Sequence, residues 1–320
     1  MAVLTPVEGR TLYAARFPLM GGEAEVRFVD QRGVEAATLL MREAVAEARR
    51  IEAKFSRYRP TSVVSEINAE AGGSPVVIDD ETEMLLRAAL DLAALTEGRF
   101  DPTVGVLRRV WDFRKAVVPR DEDIAALLPR VDAGAVILRH GTVRLAREGM
   151  EVDLGGVGKE YAADRVAELL KGRGVESALV NLLGDVRTLG RRGDGQPWVV
   201  GVQDPRDRGR LRLAIRARKD CGVATSGDYE RCFEADGVRY HHILDATTGR
   251  PARGVASVTV LAPTAFQAGQ LATAAFLLGP ERGLRLLEVA TNVEGALITE
   301  AGDLLATSGL ARISDLPGRT

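Results

Sequence analysis

The spacing of apolar residues switches repeatedly between two patterns along this chain of 320 residues. Residues 34–55 and 266–279 carry apolar side chains at every third or fourth position, which predicts helices. Residues 23–29 alternate apolar and polar side chains, and apolar runs at 178–190 and 255–261 also predict strands. Because these strands and helices mix without a regular β–α–β rhythm, the pattern favours an α+β fold.

Further elements follow from the same patterns. Residues 81–97 form one predicted helix, and residues 121–131 form another with an acidic start. No internal repeat or linker interrupts the chain, so we expect one domain over residues 1–320. The remaining predicted elements are a helix near 281–290, a hairpin-like pair at 294–306, and strands at 135–138, 142–145, 149–153, 198–205, 210–217, 221–225 and 238–244.

Composition excludes several classes of protein. With 46% hydrophobic residues the chain can bury a sizeable core, and 43 basic against 45 acidic residues leave a net charge of −2. No basic run with interleaved aromatic residues occurs, so nucleic acid is not an expected partner. No membrane-length apolar run and no signal-peptide pattern occur, so we expect a cytoplasmic protein. Cys221 and Cys232 are expected to be free thiols.

A glycine cluster at the start of a predicted helix is the first candidate site. Gly155, Gly156 and Gly158 follow Asp153 and precede Lys159. Main-chain N–H groups at a helix start bind anions, and glycines let a phosphate approach them. The spacing matches neither the P-loop nor the dinucleotide-binding fingerprint. Phosphate binding and tight packing of a strand against a helix therefore both stay open.

Two histidines near an aspartate form the second candidate. His241 and His242 precede Asp245 in the segment 240–251. In a strand, neighbouring side chains point to opposite faces, so at most one of these histidines faces a given cleft. An imidazole beside a carboxylate can act as a general base, and a hydrogen-bonded structural histidine is the alternative.

The third candidate is the polar end of a predicted strand. Thr225, Ser226, Gly227 and Asp228 place hydroxyl groups, a glycine and an acid in one short segment. They could contact a ligand's phosphates or ribose, or they could only cap a turn. The chain has no H-E-x-x-H, paired C-x-x-C or G-x-S-x-G motif.

Taken in order, eight segments from about Met20 to about Thr299 resemble the FAD:protein FMN transferase (ApbE) family. They are FSRYRPTSVVSEIN, GRFDPTVGVL, VDLGGVGKEYAADRVAELL, ALVNLLGD, WVVGVQDP, ATSGDY, HILDATTGRP and VTVLAPTAFQAGQLATAAFLLG. The resemblance implies one T-fold-like α+β domain with a mixed, mainly antiparallel sheet that binds FAD. It also implies transfer of FMN to a Ser or Thr hydroxyl of an acceptor flavoprotein, with release of AMP and with help from Mg²⁺.

The resemblance further implies roles for individual residues. His242 would accept the proton of the acceptor hydroxyl, Asp245 would orient His242 or lie near the metal, and Lys159 would offset phosphate charge. Metal contacts are implied for the backbone carbonyl of Gly158 and for Thr273. Contacts with FAD are implied for Tyr58, Asp101, Gly155, Gly156, Asn181, Asp185, Thr225, Ser226 and Gly227.

Several positions depart from the family's pattern. The family's last motif has a magnesium-binding Asp four residues before its Thr, where this chain has Gly269 before Thr273. Leu183 replaces a glycine of NLGGD, Gly22 replaces the threonine of MGT, and DATTG replaces DPRTG. Three functions therefore stay open: a transferase with a rearranged metal site, an FAD-binding protein without transfer, and an enzyme of altered chemistry such as an FAD pyrophosphatase.

Overall fold

The structure is a computed structural model that describes residues 2–7, 10–217 and 219–315. Its helices are α1 (Val34–Phe55), α2 (Val63–Ala69), α3 (Asp80–Leu95), α4 (Asp121–Leu127), α5 (Gly158–Gly172), α6 (Ala265–Leu278) and α7 (Pro280–Val289). Its strands are β1 (Ala2–Val7), β2 (Arg10–Leu19), β3 (Gly22–Asp30), β4 (Val76–Val77), β5 (Val136–Arg139), β6 (Thr142–Leu145), β7 (Ala178–Leu182), β8 (Asp185–Leu189), β9 (Trp198–Gln203), β10 (Leu211–Ala217), β11 (Cys221–Gly227), β12 (Cys232–Ala235), β13 (Val238–His241), β14 (Leu244–Asp245), β15 (Arg250–Pro251), β16 (Val255–Ala262), β17 (Glu294–Thr299), β18 (Leu304–Ala306) and β19 (Ser314–Asp315).

A nine-stranded sheet organises these elements. Its strands lie in the order β1-β2-β3-β7-β8-β11-β16-β17-β18, and each neighbouring pair is antiparallel. Smaller sheets pair β19-β10-β9, β4-β6-β5, β12-β13 and β14-β15. The α+β class and the mainly antiparallel sheet predicted from the sequence are confirmed.

The two faces of the large sheet bury different partners. Val180 and Val26 lie in the larger apolar core with α1, α5 and α6, whereas Leu179 and Val186 pack with β9 and β10 in a second cluster. This division follows from strand geometry, because successive side chains point to opposite faces. Helices α5 and α6 also contact each other, so they lie side by side above β7, β8, β11 and β16.

The predicted strand at 149–153 is wrong. Its backbone makes one isolated bridge, between Glu151 and Val104. The side chain of Asn68 occupies both main-chain groups of Val152, because its amide donates to the Val152 carbonyl at 3.0 Å and its oxygen accepts from the Val152 N–H at 2.7 Å. A side-chain amide thus replaces a strand partner here.

Two other predicted elements are shorter than their patterns. The helix predicted at 121–131 ends as an α-helix at Leu127 and continues as a 3₁₀ turn over Leu128–Arg130. Pro129 lies in that turn and has no N–H to extend an α-helix. The strand predicted at 238–244 is broken after His241, and its last part belongs to the short strand β14.

Cys221 and Cys232 are free, as predicted. No helix within the described parts of the chain has the length and apolar character needed to cross a membrane.

Candidate functional site

The glycine cluster forms a tight turn at the start of α5. The N–H groups of Val157 and Gly158 both donate to the Leu154 carbonyl, at 3.1 and 2.8 Å. Asp153 orients this turn, because its Oδ1 accepts from the Gly155 N–H at 2.8 Å. A Cβ atom on Gly155 would lie 2.9 Å from that oxygen, so a side chain at this position would displace the Asp153 carboxylate.

The next two glycines differ in their surroundings. A Cβ atom on Gly156 would lie 3.0 Å from Cε2 of Phe100, whereas no atom of residues 2–7, 10–217 and 219–315 is found within 4 Å of a Cβ atom on Gly158. Helix α5 also begins without a side-chain cap. The turn is therefore closely packed at Gly156 and open at Gly158.

Lys159 connects the first turn of α5 to the start of β8. Its Nζ donates to Asp185 Oδ2 at 2.5 Å and lies 3.6 Å from Glu160 Oε1. The Asp185 side chain is 2% exposed and that of Lys159 is 29% exposed. Burial alone would lower the pKa of Lys159, but the two carboxylates outweigh it and hold that pKa above its ordinary value. Lys159 is therefore a cation at neutral pH.

Glu160 is a buried carboxylate that the sequence analysis did not select. Within the described part of the chain, its Oε2 has no hydrogen-bond partner. Burial raises its pKa to about 8; the charge of Lys159 opposes this rise and that of Asp185 adds to it. A Cβ atom on Gly269 would lie 2.7 Å from Glu160 Cδ and 2.8 Å from Oε1, so Glu160 fills the space beside Gly269. The glycine inside α6 was the sequence signal that something occupies this space.

Strand β11 contacts Asp185 through the main chain of Thr225 and contacts α6 through the hydroxyl of Ser226, while the Thr225 hydroxyl lies 2.8 Å from that of Thr259. The Thr225 N–H donates to Asp185 Oδ1 at 3.3 Å, and Ser226 Oγ lies 3.1 Å from Thr273 Oγ1 on α6. Thr273 follows Gly269 by one helical turn, so both lie on one face of α6. These contacts connect five residues, either directly or because two of them are adjacent in sequence: Lys159, Asp185, Thr225, Ser226 and Thr273.

Gly227 ends β11 beneath an aromatic ring. A Cβ atom on Gly227 would lie 3.0 Å from Cδ1 and from Cζ of Tyr229, so this glycine permits close packing of the ring. The adjacent Asp228 accepts two hydrogen bonds from Arg206, at 2.6 and 2.7 Å. This end of the strand is a packed and ion-paired turn.

The two histidines differ in their hydrogen bonds. His241, 1% exposed, has its Nε2 2.9 Å from the Ala252 carbonyl, and burial lowers its pKa to about 4. Burial, together with the charge of Arg231, lowers the pKa of His242 to about 3, and its Nδ1 is buried without a partner. Both rings are neutral at neutral pH. His241 has a hydrogen-bond partner at Nε2, and within the described residues the Nδ1 atoms of both rings are buried without one.

Asp245 is held by a partner that the sequence analysis missed. Its Oδ2 accepts from Arg99 at 2.6 Å, and its Oδ1 accepts from the N–H and hydroxyl of Thr247 at 2.9 and 2.5 Å. Within the described residues no hydrogen bond joins Asp245 to His242. The predicted orientation of His242 by Asp245 is therefore not made directly in this structure.

The three other predicted FAD contacts lie in different settings. Asp101 is 6% exposed, and its oxygens accept from the N–H groups of Thr103 and Ala133 at 2.7 Å each. Burial raises the pKa of Asp101. Asn181 accepts from the Gly184 N–H at 2.9 Å and so caps the β7–β8 turn. Tyr58 is 72% exposed, and its ring is open to a ligand.

Leu183 and Gly22 contact each other. Leu183 has φ = 58° and Gly184 has φ = 97°, which makes the β7–β8 connection a two-residue turn with two positive φ angles. A Cβ atom on Gly22 would lie 2.8 Å from Leu183 Cδ2. The leucine therefore occupies space that a side chain at position 22 would need.

The profile of the ApbE family matches residues 20–297. The chain belongs to the ApbE family. Relatives include the FAD:protein FMN transferase of Treponema pallidum, which is 36% identical over 91% of this chain and 86% of its own length. The FAD:protein FMN transferase of Escherichia coli K12 is 32% identical over 79% of this chain and 74% of its own length.

Solved structures of the family superpose closely. The ApbE protein of Thermotoga maritima has a TM-score of 0.84 and 35% identity, covering 94% of this chain and 99% of its own. The flavin transferase ApbE of Vibrio cholerae has a TM-score of 0.86 and 31% identity, covering 95% and 99%. The fold of the family thus extends over nearly the whole chain.

Proposed function

We propose that this chain is an FAD:protein FMN transferase that acts as a single domain in the cytoplasm. It transfers the FMN portion of FAD to a Ser or Thr hydroxyl of an acceptor flavoprotein and releases AMP. The observation that carries the proposal is the contact chain from Lys159 through Asp185 and Thr225 to Ser226 and Thr273, in a fold whose relatives bear that name.

Lys159 binds the pyrophosphate in this proposal. Its ammonium group is held 2.5 Å from Asp185 at the uncapped start of α5, where main-chain N–H groups also favour an anion. A preorganised cation stabilises the charge that builds on phosphate oxygens during displacement. The open space beside Gly158 leaves room for the phosphates at this helix end.

His242 takes the proton in this proposal. The acceptor hydroxyl attacks the FMN phosphorus, its oxygen forms a new bond to phosphorus, and its proton moves to the neutral ring of His242. The bond from that phosphorus to the bridging oxygen breaks, and AMP leaves with the bridging oxygen. Burial and the charges of Arg231, Arg108 and Lys159 make His242 a weak base in the free protein. The negative charges of bound FAD would strengthen it.

The residues present fit a magnesium ion. Glu160 Oε2, the buried Asp185 carboxylate and the Thr273 hydroxyl offer oxygen ligands, which hard cations prefer. The Lys159 ammonium lies beside both carboxylates. Among the described residues no three His, Cys, Asp or Glu side chains form a metal cluster, and Mg²⁺ is commonly bound by one or two carboxylates with substrate phosphates. We propose Thr273, Asp185 and the Gly158 carbonyl as ligands. A bound Mg²⁺ would neutralise phosphate charge.

The test combines purified protein, FAD, Mg²⁺ and an acceptor domain with a Thr flavinylation site. We expect AMP and covalently labelled acceptor in equal amounts, measured by chromatography and by flavin fluorescence of the denatured acceptor. His242→Asn should lower the rate on the order of 10²–10⁴-fold. His140→Asn is the matched control, because the His140 side chain is 97% exposed.

Three outcomes would contradict the proposal. AMP with free FMN and an unlabelled acceptor would indicate a pyrophosphatase. FAD binding without AMP would indicate a binding protein. Full transfer by His242→Asn would show that another group takes the proton.

A further inference from the structure

We propose that Glu160 is a metal ligand. Through this residue, helix α5 supplies a carboxylate beside Gly269 of the neighbouring helix α6. This inference rests on the proposed function, because the cation would be the one that serves the FMN transfer. The family's motif has its metal-binding aspartate at position 269. In this chain the metal would therefore keep a carboxylate ligand, but helix α5 would provide it instead of helix α6.

The first support is the space beside Gly269. A Cβ atom there would lie 2.7 Å from Cδ and 2.8 Å from Oε1 of Glu160, closer than real Cβ contacts. The carboxylate carbon of Glu160 thus lies within a bond length or two of the place where a short acidic side chain at position 269 would begin. One acidic side chain fits in this space, and two do not.

The second support is the hydrogen bonding of Glu160. The residue is 5% exposed, its Oε1 lies 3.6 Å from Lys159 Nζ, and none of the residues that the structure describes is a hydrogen-bond partner of its Oε2. A buried polar oxygen without a partner is destabilising, and natural proteins rarely keep one without a reason. A cation bound at Oε2 would supply the missing partner.

The third support is the chemistry of the surrounding groups. The carboxylates of Asp185 and Glu160 both lie close to the Lys159 ammonium group. Thr273 lies one helical turn beyond Gly269 on the same face of α6. Ser226 Oγ is 3.1 Å from the Thr273 hydroxyl. All these candidate ligand atoms are oxygens, which selects a hard divalent cation such as Mg²⁺ or Mn²⁺ over Zn²⁺.

The test measures Mn²⁺ binding directly, by electron paramagnetic resonance titration of the full chain with saturating FAD. Glu160→Gln keeps the shape of the side chain and removes its charge. It should weaken Mn²⁺ binding on the order of 10–100-fold. Glu168→Gln is the matched control on the same helix, because the Glu168 side chain is 59% exposed and should leave binding unchanged.

A second variant tests the exchange between helices. Glu160→Ala combined with Gly269→Asp removes the α5 carboxylate and returns one to α6, so Mn²⁺ affinity should recover most of its loss. Circular dichroism and thermal unfolding would check that each variant is folded.

The outcomes separate this inference from the proposed function. Wild-type affinity in Glu160→Gln, or no Mn²⁺ binding by the wild-type protein, would overturn the inference whether or not AMP is released. If the double variant binds Mn²⁺ no more tightly than Glu160→Gln, a carboxylate on α6 does not replace the one on α5, and that part of the inference is wrong. If Mn²⁺ binding depends on Glu160 while the wild-type protein releases no AMP, the metal site is supported and the transferase function fails.

Discussion

At the level of single residues, a neighbouring side chain fills the missing Cβ space of several glycines, and Gly22 and Gly269 are two of them. Leu183 lies against Gly22, and Glu160 lies against Gly269. Leu183, Gly22 and Gly269 are positions at which the sequence departs from the family's pattern. The departures at 22 and 183 are therefore one packing change rather than two independent ones.

The contact between Leu183 and Gly22 can be tested by a double-mutant cycle. Gly22→Thr should destabilise the protein by about 1–3 kcal/mol, because its Cβ would lie 2.8 Å from Leu183 Cδ2. Adding Leu183→Gly should reverse much of that loss, since it vacates the space and places a glycine at a positive φ angle. Urea unfolding of the four proteins should give a coupling on the order of 1 kcal/mol. Additive effects would show that the two residues do not compete for space.

The sequence was enough to select several candidate site residues, but it did not show which groups surround them. Lys159 was selected because a basic residue at a glycine-rich helix start suits an anion; the structure pairs it with Asp185, and its contact with phosphate stays a prediction. Glu160 was not selected, because its role depends on a glycine in a distant helix. Asp101 and Asn181 bind main-chain N–H groups of loops. Only the folded loop reveals those contacts, and their contacts with FAD stay predictions.

At the level of elements, two residues from neighbouring elements fix the start of α6. Asp164 of α5 accepts from the N–H groups of Ala265 and Phe266 at 2.9 and 2.8 Å. Gly222 of β11 lies so close that a Cβ atom on it would overlap backbone atoms of Thr264 and Ala265. These contacts set the position of α6 and hence the approach of Thr273 to Ser226.

Gly222→Ala should therefore damage both stability and the site. The overlap involves backbone atoms, so no side-chain rotation can relieve it, and α6 must shift. We expect a loss of about 3 kcal/mol in the free energy of unfolding. The matched control is Gly172→Ala at the end of α5, where nothing lies within 4 Å of the added carbon. Equal thermal unfolding midpoints for the two variants would contradict this view of the α6–β11 contact.

Helices were predicted more accurately than short strands, for a physical reason. The helix predicted at 34–55 agrees with α1, since its apolar spacing is a local property of a long segment. The segment 149–153 is apolar enough for a strand, but Asn68 takes the main-chain groups of Val152. A contact between residues so far apart in sequence leaves no local pattern.

At the level of the whole molecule, the site depends on the order of strands in the large sheet. Strands β8 and β11 are neighbours although two strands separate them in sequence, and this pairing brings Asp185 beside Thr225. The sequence predicted the α+β class and the antiparallel character. It did not predict the strand order, because that order is decided by which faces pack against α5, α6 and the β9–β10 layer.

Acid should destabilise the whole fold through His241. In the unfolded chain this ring takes up a proton below its ordinary pKa of 6.5, whereas burial keeps the folded ring neutral until about 4. Stability is therefore lost as the pH falls through that window. Between about pH 7 and about pH 5 the expected loss from this residue is about 2 kcal/mol. Asp228 opposes the lowered pKa, and Arg253 and Arg239 add to it.

His241→Gln is the matched variant, because its amide can still donate to the Ala252 carbonyl that faces His241 Nε2. It should lose less stability than the wild-type protein between about pH 7 and about pH 5. Urea unfolding at the two pH values measures this difference, with the exposed His140→Gln as control. The same acid sensitivity in His241→Gln and wild type would assign the effect to other groups.

The close fit of Glu160 beside Gly269 also constrains how such a sequence can arise. A chain with side chains at both positions is overpacked, because a Cβ atom at 269 meets the Glu160 carboxylate group. Along a line of descent, the shortening of residue 269 must therefore precede or accompany the arrival of glutamate at 160. An ancestor that changed one position at a time passed through a form with neither acid at this spot.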